Sequence, residues 1–521
     1  MVDEFAGHAG MVSSLRSGLM RAAPFVFPPA GIRRRLWLAS PLTRSIAAYL
    51  LLPNLPFAIL GQFVFVTRAL VNVDYLLLGS IAGLLPRRIV TVVYAILLGN
   101  DAFVSLAPVF HFNLETAVFS LTFALQNGLV LTSLGIAFAM SVSTIAVLGD
   151  RLTGARERRV ARPGLLAIAV VIITLDIVGG MNGLSHADSA VLRVNVATSA
   201  LYRTARAIQG GVSGAAKANG TARAPSVMAA TANLRQALMS NPYAPSLGAS
   251  HIVLILVESL GHFRDVDVDS VVLAPLLSES VRRRYDVRGG TVPARGATTE
   301  GEFRELCGVD ANYLRVRQVD ASRCLPAILR RNGFRTFAVH GYSQEFYDRY
   351  EQYPLLGFEE MQFAEDLERL PGIRMCGSTF RGVCDADASQ IVSQEIREAP
   401  RGERRFVYWM TLTSHLPVDA ASAAGSSLDC RQSAEAQRFA DVCALMRLQR
   451  MVASEIAAIA TDPLLPPTRF VLVGDHTPPF FSREKRSLFV PDEVPFVELI
   501  PKQSQPQRPT HMTTSAGLSG R

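Results

Sequence analysis

A chain of 521 residues with 49% apolar side chains and a mean hydropathy of +0.24 is long enough for more than one domain and unusually apolar for a soluble protein. Its net charge of +8 comes largely from Arg clusters beside apolar stretches, so it reads as membrane topology; nucleic acid is the runner-up reading, but no RNA- or DNA-binding motif accompanies it and no nucleic-acid partner is expected. All six cysteines lie beyond residue 300, an even number in one part of the chain, which suits disulfides in an oxidising compartment.

In chain order, residues 1–44 are polar and dotted with Arg16, Arg21, Arg33, Arg34, Arg35 and Arg44, without a cleavable signal-peptide layout, and read as a cytoplasmic segment. Five membrane helices are expected near 45–66, 69–86, 88–110, 124–148 and 164–183, together a transmembrane domain over 45–183. Asp74 interrupts the second, and Pro86 ends it. The positive-inside rule still requires it: the Arg-rich start, Arg87-Arg88 and the loop 151–162 (RLTGARERRVAR) share one side only with an even number of helices between them. Five spans place the remainder of the chain outside the cytoplasmic membrane, in the periplasm of a Gram-negative cell. Asn100, Asp101, Gln126 and Asn127 fall in or near these helices, where polar groups are costly and either functional or facing headgroups. Residues 184–248 are rich in Ala, Ser, Gly and Asn, with an amphipathic stretch near 188–208, and read as a juxtamembrane linker along the bilayer surface.

Residues 249–501 read as an α/β domain with a mainly parallel sheet, and 502–521 as a disordered tail. The runs His251–Val257, Phe334–Val339, Phe406–Thr413 and Arg469–Gly474 are short, apolar, and β-branched or aromatic, with helix-like sequence between them. Such strands are buried on both faces. Glu258 closes the first run, His340 the second and Asp475-His476 the last, while His415 lies just past the third. Ligands of open α/β sheets bind beyond the carboxyl ends of the strands, so Glu, Asp-His, His and His point at one crevice. That set suits a divalent metal ion, zinc or manganese, held by oxygen and nitrogen donors.

Between the first two runs lies Gly289–Val309 (GGTVPARGATTEGEFRELCGV), in which Gly296 ends an irregular stretch and Thr298-Thr299-Glu300 open a helix in a pattern that suits an N-cap. A helix N-terminus favours phosphate. A divalent cation beside a threonine oxygen lowers its pKa and makes it a nucleophile at neutral pH.

The order VES (257–259), G-x-T-T-x-x-E-F (296–303), HGY (340–342) with FYDR (346–349), TSH (413–415) and GDH (474–476) resembles the sulfatase-like branch of the alkaline phosphatase superfamily. Within it, the pattern is similar to lipoteichoic acid synthases and to the phosphoethanolamine transferases that modify lipid A. The resemblance implies five membrane helices, a linker and a catalytic domain over about 250–501. It makes Glu258, Asp475 and His476 metal ligands, and Thr298 the nucleophile and fourth ligand, with Thr299 the alternative one residue away. His415 takes a substrate-side role, binding the phosphoryl group or protonating a leaving oxygen. Arg349 with Tyr347 and Phe346 falls where the synthases contact glycerol phosphate, a planar fork suited to two phosphate oxygens. His340 is the remaining candidate for substrate binding.

By sequence proximity and by analogy with the transferases, the cysteines pair as Cys307–Cys324, Cys376–Cys384 and Cys430–Cys443. Nothing near Thr298 offers the C-x-P-x-R setting of true sulfatases, so sulfate ester hydrolysis is not implied. The resemblance implies a membrane phosphotransferase that moves the headgroup of phosphatidylglycerol or phosphatidylethanolamine to a glycan or lipid acceptor through a phosphothreonine. The alternative is a hydrolase that releases a phosphate or sulfate ester to water.

Overall fold

The computed structural model describes residues 40–64, 68–107, 129–178, 197–206, 208, 227–240 and 249–502. The chain divides into two compact units, one drawn from the first 203 residues and one containing 227–502.

The first unit is helical. Two helices among the described residues are long and apolar enough to cross a bilayer, Pro41–Phe63 and Arg87–Leu106. The first is well started, with the Ser40 hydroxyl accepting the Thr43 N–H at 3.1 Å and Pro41 in the first turn. The five expected spans are therefore not found as such. The second breaks down into Val73–Ile81 and a 3₁₀ turn, Ala82–Leu84, too short to span. Asn72 starts that helix late by accepting the Asp74 N–H, and Pro86 follows its end. Helices Leu129–Leu152 and Ala155–Val178 lie over the fourth and fifth expected spans with different bounds. The second of them takes in most of the expected Arg-rich loop, because Ala, Arg and Glu are all good helix formers.

Asp101 is paired in this unit. Arg68 donates to its carboxylate from Nε at 3.0 Å and Nη2 at 2.8 Å, and the Tyr75 hydroxyl donates at 2.9 Å. Gln126 and Asn127, the stretch 188–196 and the tail 503–521 lie outside the described residues.

The second unit is built on a seven-stranded sheet. Its strands are β1 (His251–Val257), β2 (Tyr285–Pro293), β3 (Phe334–His340), β4 (Glu360–Gln362), β5 (Arg404–Met410), β6 (Thr468–Gly474) and β7 (Glu493–Pro501). Their order across the sheet is β2-β7-β6-β1-β5-β3-β4. The strands from β6 to β4 run parallel, while β7 is antiparallel to both β6 and β2, so the sheet is mixed. The mainly parallel expectation holds for the strands that carry the site and fails at the β7–β2 edge. Residues 285–293, whose end falls in the stretch expected to be irregular, form a strand because β7 pairs with them along their whole length.

Every residue of β1 and β6 is buried, as continuous apolar runs require. Side chains alternate: Val253, Ile255 and Val257 join one core with Leu445, Val452 and Ile456 of the long helix Ala440–Thr461. Ile252, Leu254 and Leu256 join the other, with Phe303 and Leu306 of α1 (Thr298–Cys307). Each such side chain contributes about 1.5–3 kcal/mol on leaving water. Helix Ala232–Ser240, in the expected linker, buries Leu234 and Leu238 in this second core. The cysteines are paired as expected, Cys307–Cys324, Cys376–Cys384 and Cys430–Cys443.

Candidate active site

The register of β1 with β6 pairs Val257 with Gly474, so the next residues, Glu258 and Asp475, emerge side by side. Glu258, Asp475 and His476 are buried, and one donor atom from each lies within 4.8 Å of the others. The His476 ring is oriented for a cation: Nδ1–H donates to the Thr477 carbonyl at 3.0 Å, which leaves Nε2 as the acceptor nitrogen facing the two carboxylates. That Nε2 is 3.3 Å from Asp475 Oδ2 and 3.5 Å from Glu258 Oε1. Asp475 Oδ1 accepts the N–H groups of Ser259 (2.7 Å) and His476 (2.6 Å), whereas Oδ2 is buried with no hydrogen-bond partner. Burial, and then the negative charge of Asp475, push the Glu258 carboxyl well above its ordinary pKa. Two buried carboxyl groups, an orphaned oxygen and an imidazole lone pair fit a divalent cation.

Helix α1 brings Thr298 to the same point. Its hydroxyl lies 3.3 Å from Glu258 Oε2 and 3.3 Å from His476 Nε2. The Thr299 hydroxyl is turned away and donates to Glu300 at 3.1 Å. The expected Thr cap is not formed: Ala297 is the N-cap and Thr298 the first helical residue. Glu300 accepts the Ala297 N–H, and the Thr298 oxygen is turned to Glu258 and His476. One turn on, Gly301 permits the approach, since a Cβ there would stand 2.9 Å from the Asp475 carbonyl oxygen.

Sequence reading did not single out Arg304, which locks this geometry. Its buried guanidinium donates to the carbonyls of Asp475 (2.9 Å) and Gly474 (2.6 Å) and to Glu305 (2.7 Å). Glu305 in turn accepts the N–H groups of Ala230 and Thr231. Ser259, the last residue of the VES motif, was given no role of its own; it adopts φ +56°, sends its hydroxyl to Glu258 Oε1 at 2.8 Å, and its carbonyl accepts from Gln449. Tyr347 and Asp348 are likewise in the left-handed region, at +59° and +52°, so backbone strain is concentrated around the site.

A narrow cavity opens from Glu258 and Thr298 and is lined by His340, Tyr342, Phe346, Tyr347, Arg349, Phe380 and His415. All the predicted site residues thus meet in one place or border it. His340 donates Nδ1–H to the Met410 carbonyl (3.1 Å) and His415 to the Leu416 carbonyl (2.7 Å), so each keeps Nε2 as an acceptor. Burial lowers both imidazoles, His340 well below its ordinary value and His415 to about 4, so both are neutral at pH 7. Arg349 Nη2 donates to Glu302 at 3.2 Å. Burial opposes its charge, but the Glu302 carboxylate outweighs this and raises its pKa.

Phe380 was not anticipated. It sits at the tip of a short hairpin, Met375–Cys376 with Gly382–Val383, closed by the Cys376–Cys384 disulfide, and its ring lies 3.9 Å from that of His415. Tyr342 and Phe346 pack against it at 5.6 and 5.8 Å. The only advance sign was the closeness of the two cysteines. Asp385, next to Cys384, accepts the N–H groups of Leu412 (2.9 Å) and Thr413 (2.8 Å) and so fixes the loop that presents His415.

A capsular polysaccharide biosynthesis protein, RkpI, of Rhizobium meliloti (strain 1021) is 30% identical over 188 residues, 33% of each chain. The chain thus spans about a third of the length of that curated relative. Among solved structures, the lipoteichoic acid synthase LtaP of Listeria monocytogenes matches 53% of this chain and 72% of its own, at 12% identity and a TM-score of 0.36. The phosphoglycerol transferase GacH of Streptococcus pyogenes, in complex with sn-glycerol-1-phosphate, matches 53% and 78%, at 16% identity and a TM-score of 0.36. Residues 250–516, just over half the chain and all of the seven-stranded sheet, match the sulfatase family model: the chain belongs to the sulfatase family.

Proposed function

We propose that the protein is a membrane phosphotransferase that moves the headgroup phosphate of a phospholipid to an acceptor hydroxyl through Thr298. The observation that carries this reading is the Thr298 hydroxyl, buried 3.3 Å from both Glu258 and His476, beside the orphaned Asp475 oxygen and the arginine-bearing cavity. Glu258, Asp475 and His476 would hold one divalent ion, zinc or manganese by their donor types, with Thr298 completing the set. Such an ion lowers the pKa of the threonine hydroxyl and offsets the charge of the phosphate.

In the first half-reaction the Thr298 oxygen bonds to phosphorus and the bond to the diacylglycerol oxygen breaks. The proton of Thr298 ends on diacylglycerol, which leaves as the alcohol. An acceptor hydroxyl then attacks the phosphothreonine, and its proton returns to Thr298. His415 and His340, each with Nε2 as acceptor, suit taking a proton from a hydroxyl better than giving one up. Aryl side chains at the mouth exclude water, which favours transfer over hydrolysis.

A phosphoglycerol donor fits better than phosphoethanolamine. Asp348, Glu351 and Glu345, the carboxylates nearest Arg349 in sequence, are exposed and do not line the cavity. Glu302 is committed to Arg349. Of the lining carboxyls an ammonium would find only Glu258, beside the aryl faces of Tyr342, Phe346 and Phe380, whereas glycerol hydroxyls would meet imidazole acceptors and Arg349. In this reading the helical unit anchors the enzyme in the cytoplasmic membrane, and a glycan or lipid is the acceptor. Vesicles of phosphatidylglycerol or phosphatidylethanolamine, offered separately to the purified protein, test the proposal by mass spectrometry of the Thr298 peptide. Phosphoglycerol on Thr298 is expected. Headgroup released to water without a modified threonine would replace transfer by hydrolysis.

A further inference from the structure

Glu302 lies one turn after Thr298 on α1, yet it does not line the cavity; it stands behind Arg349. Its Oε2 accepts from Arg349 Nη2 at 3.2 Å, and its Oε1 accepts from the hydroxyls of Tyr353 and of Tyr408, the latter at 3.2 Å. Phe346 and Tyr347 flank the guanidinium, their ring centroids 5.9 and 5.2 Å from its carbon. Arg349 Nη1 donates weakly to the Phe346 carbonyl at 3.4 Å, and its Nε, buried, has no partner at all. An orphaned buried donor on a charged group is expensive and is kept where something else completes it.

Resting on the phosphate chemistry argued above, we propose that Glu302 is a positioning residue: by holding Nη2 it keeps the Arg349 guanidinium against the cavity wall, so that the arginine serves the phosphate next to Thr298 with its remaining N–H groups. The two tyrosine hydroxyls keep the carboxylate from rotating. Because Glu302 and Thr298 share a face of one helix at a spacing of four residues, the clamp fixes the distance between anion site and nucleophile. A buried ion pair is a poor stabiliser compared with apolar packing, so stability alone gives no reason for this arrangement.

Charge and positioning make opposite forecasts, which makes the inference testable. Removing a carboxylate beside an anion site tightens anion binding if only charge matters, and weakens it if the carboxylate orients the arginine. The probe is inorganic phosphate, titrated calorimetrically into the full chain in detergent. Glu302→Gln is expected to weaken phosphate binding about tenfold, in line with loss of a charge-assisted hydrogen bond. In an Arg349→Ala background the same change should add nothing. Unchanged or tighter binding by Glu302→Gln, or a further loss in the double variant, overturns the proposal. So does an unmodified chain that fails to bind phosphate. Should Glu302→Gln not fold, Tyr353→Phe removes only a hydroxyl: weaker binding that depends on Arg349 supports the clamp, and unaltered binding sinks it. A chain that binds phosphate by these rules but never carries a headgroup on Thr298 would refute the transferase reading and leave the clamp intact.

Discussion

Thr298 and Thr299 are adjacent and both buried, yet only the hydroxyl of Thr298 reaches the three-residue group of Glu258, Asp475 and His476. Thr298→Ala should therefore cut turnover by more than about a thousandfold while leaving metal content and unfolding temperature nearly unchanged. Thr299→Ala, which loses a bond to Glu300, should retain most activity and lose some stability. The reverse order in a steady-state assay would move the nucleophile by one residue. Asp475→Ala should empty the proposed cation site, since its Oδ2 has no other partner; equal metal content in variant and parent by elemental analysis would remove Asp475 from it. These residues were legible in sequence because reactive side chains at strand ends carry their chemistry in their identity. The roles of Arg304, Ser259 and Asp385 were not, because they act through backbone carbonyls and N–H groups, and any neighbouring chain can supply those.

At the scale of elements, α1 is held to the end of β6 mainly through Arg304. Arg304→Met should cost about 3 kcal/mol, since it leaves Glu305 buried without its cation and two carbonyls without donors. It should also weaken metal binding, as the Asp475 backbone loses its anchor; denaturant melts with and without chelator would separate the two effects. At the opposite end of the sheet, β1 begins at His251, whose Nδ1 accepts the Arg405 N–H at 3.1 Å. Burial and then the Arg405 charge lower its pKa from 6.5 to about 4. As pH falls through 6.5 the unfolded chain takes up this proton first, so stability from His251 is present above 6.5 and lost towards pH 4. Asp385 works the other way, because burial raises its pKa from 3.8 to about 6 and stability from it is lost as pH rises through that value. The useful measurement is thus the difference between the parent and His251→Asn, in which Asp385 cancels. The variant should be less stable at pH 7.5 and should close the gap by pH 4.5; a gap independent of pH would show that His251 does not titrate as argued. Strand ends of the central sheet were readable from apolar runs. The β2 edge was not, because its Gly289-Gly290 pair lacks side chains to show a period and is held by pairing with β7, distant in sequence.

For the whole molecule, parity of membrane crossings decides where the chemistry takes place. The two helices that are long and apolar enough among the described residues would return the chain to its starting side, whereas five crossings would leave the α/β unit on the opposite side. Three disulfides in that unit call for an oxidising compartment, and the arginines of the first 44 residues favour the cytoplasm for the start of the chain. Both conditions are met only by an odd number of crossings. An odd number is what the five spans expected from the sequence would supply. Cysteine pairing and membrane side can be read in one preparation. Intact cells treated with a membrane-impermeant protease should lose the α/β unit once the outer barrier is opened, while a tag at the N-terminus stays protected. Peptide mapping without reductant should return the three bonds between neighbours. Free thiols throughout, with the α/β unit protected alongside the tag, would mean an even number of crossings and a cytoplasmic site, and a donor drawn from the inner leaflet.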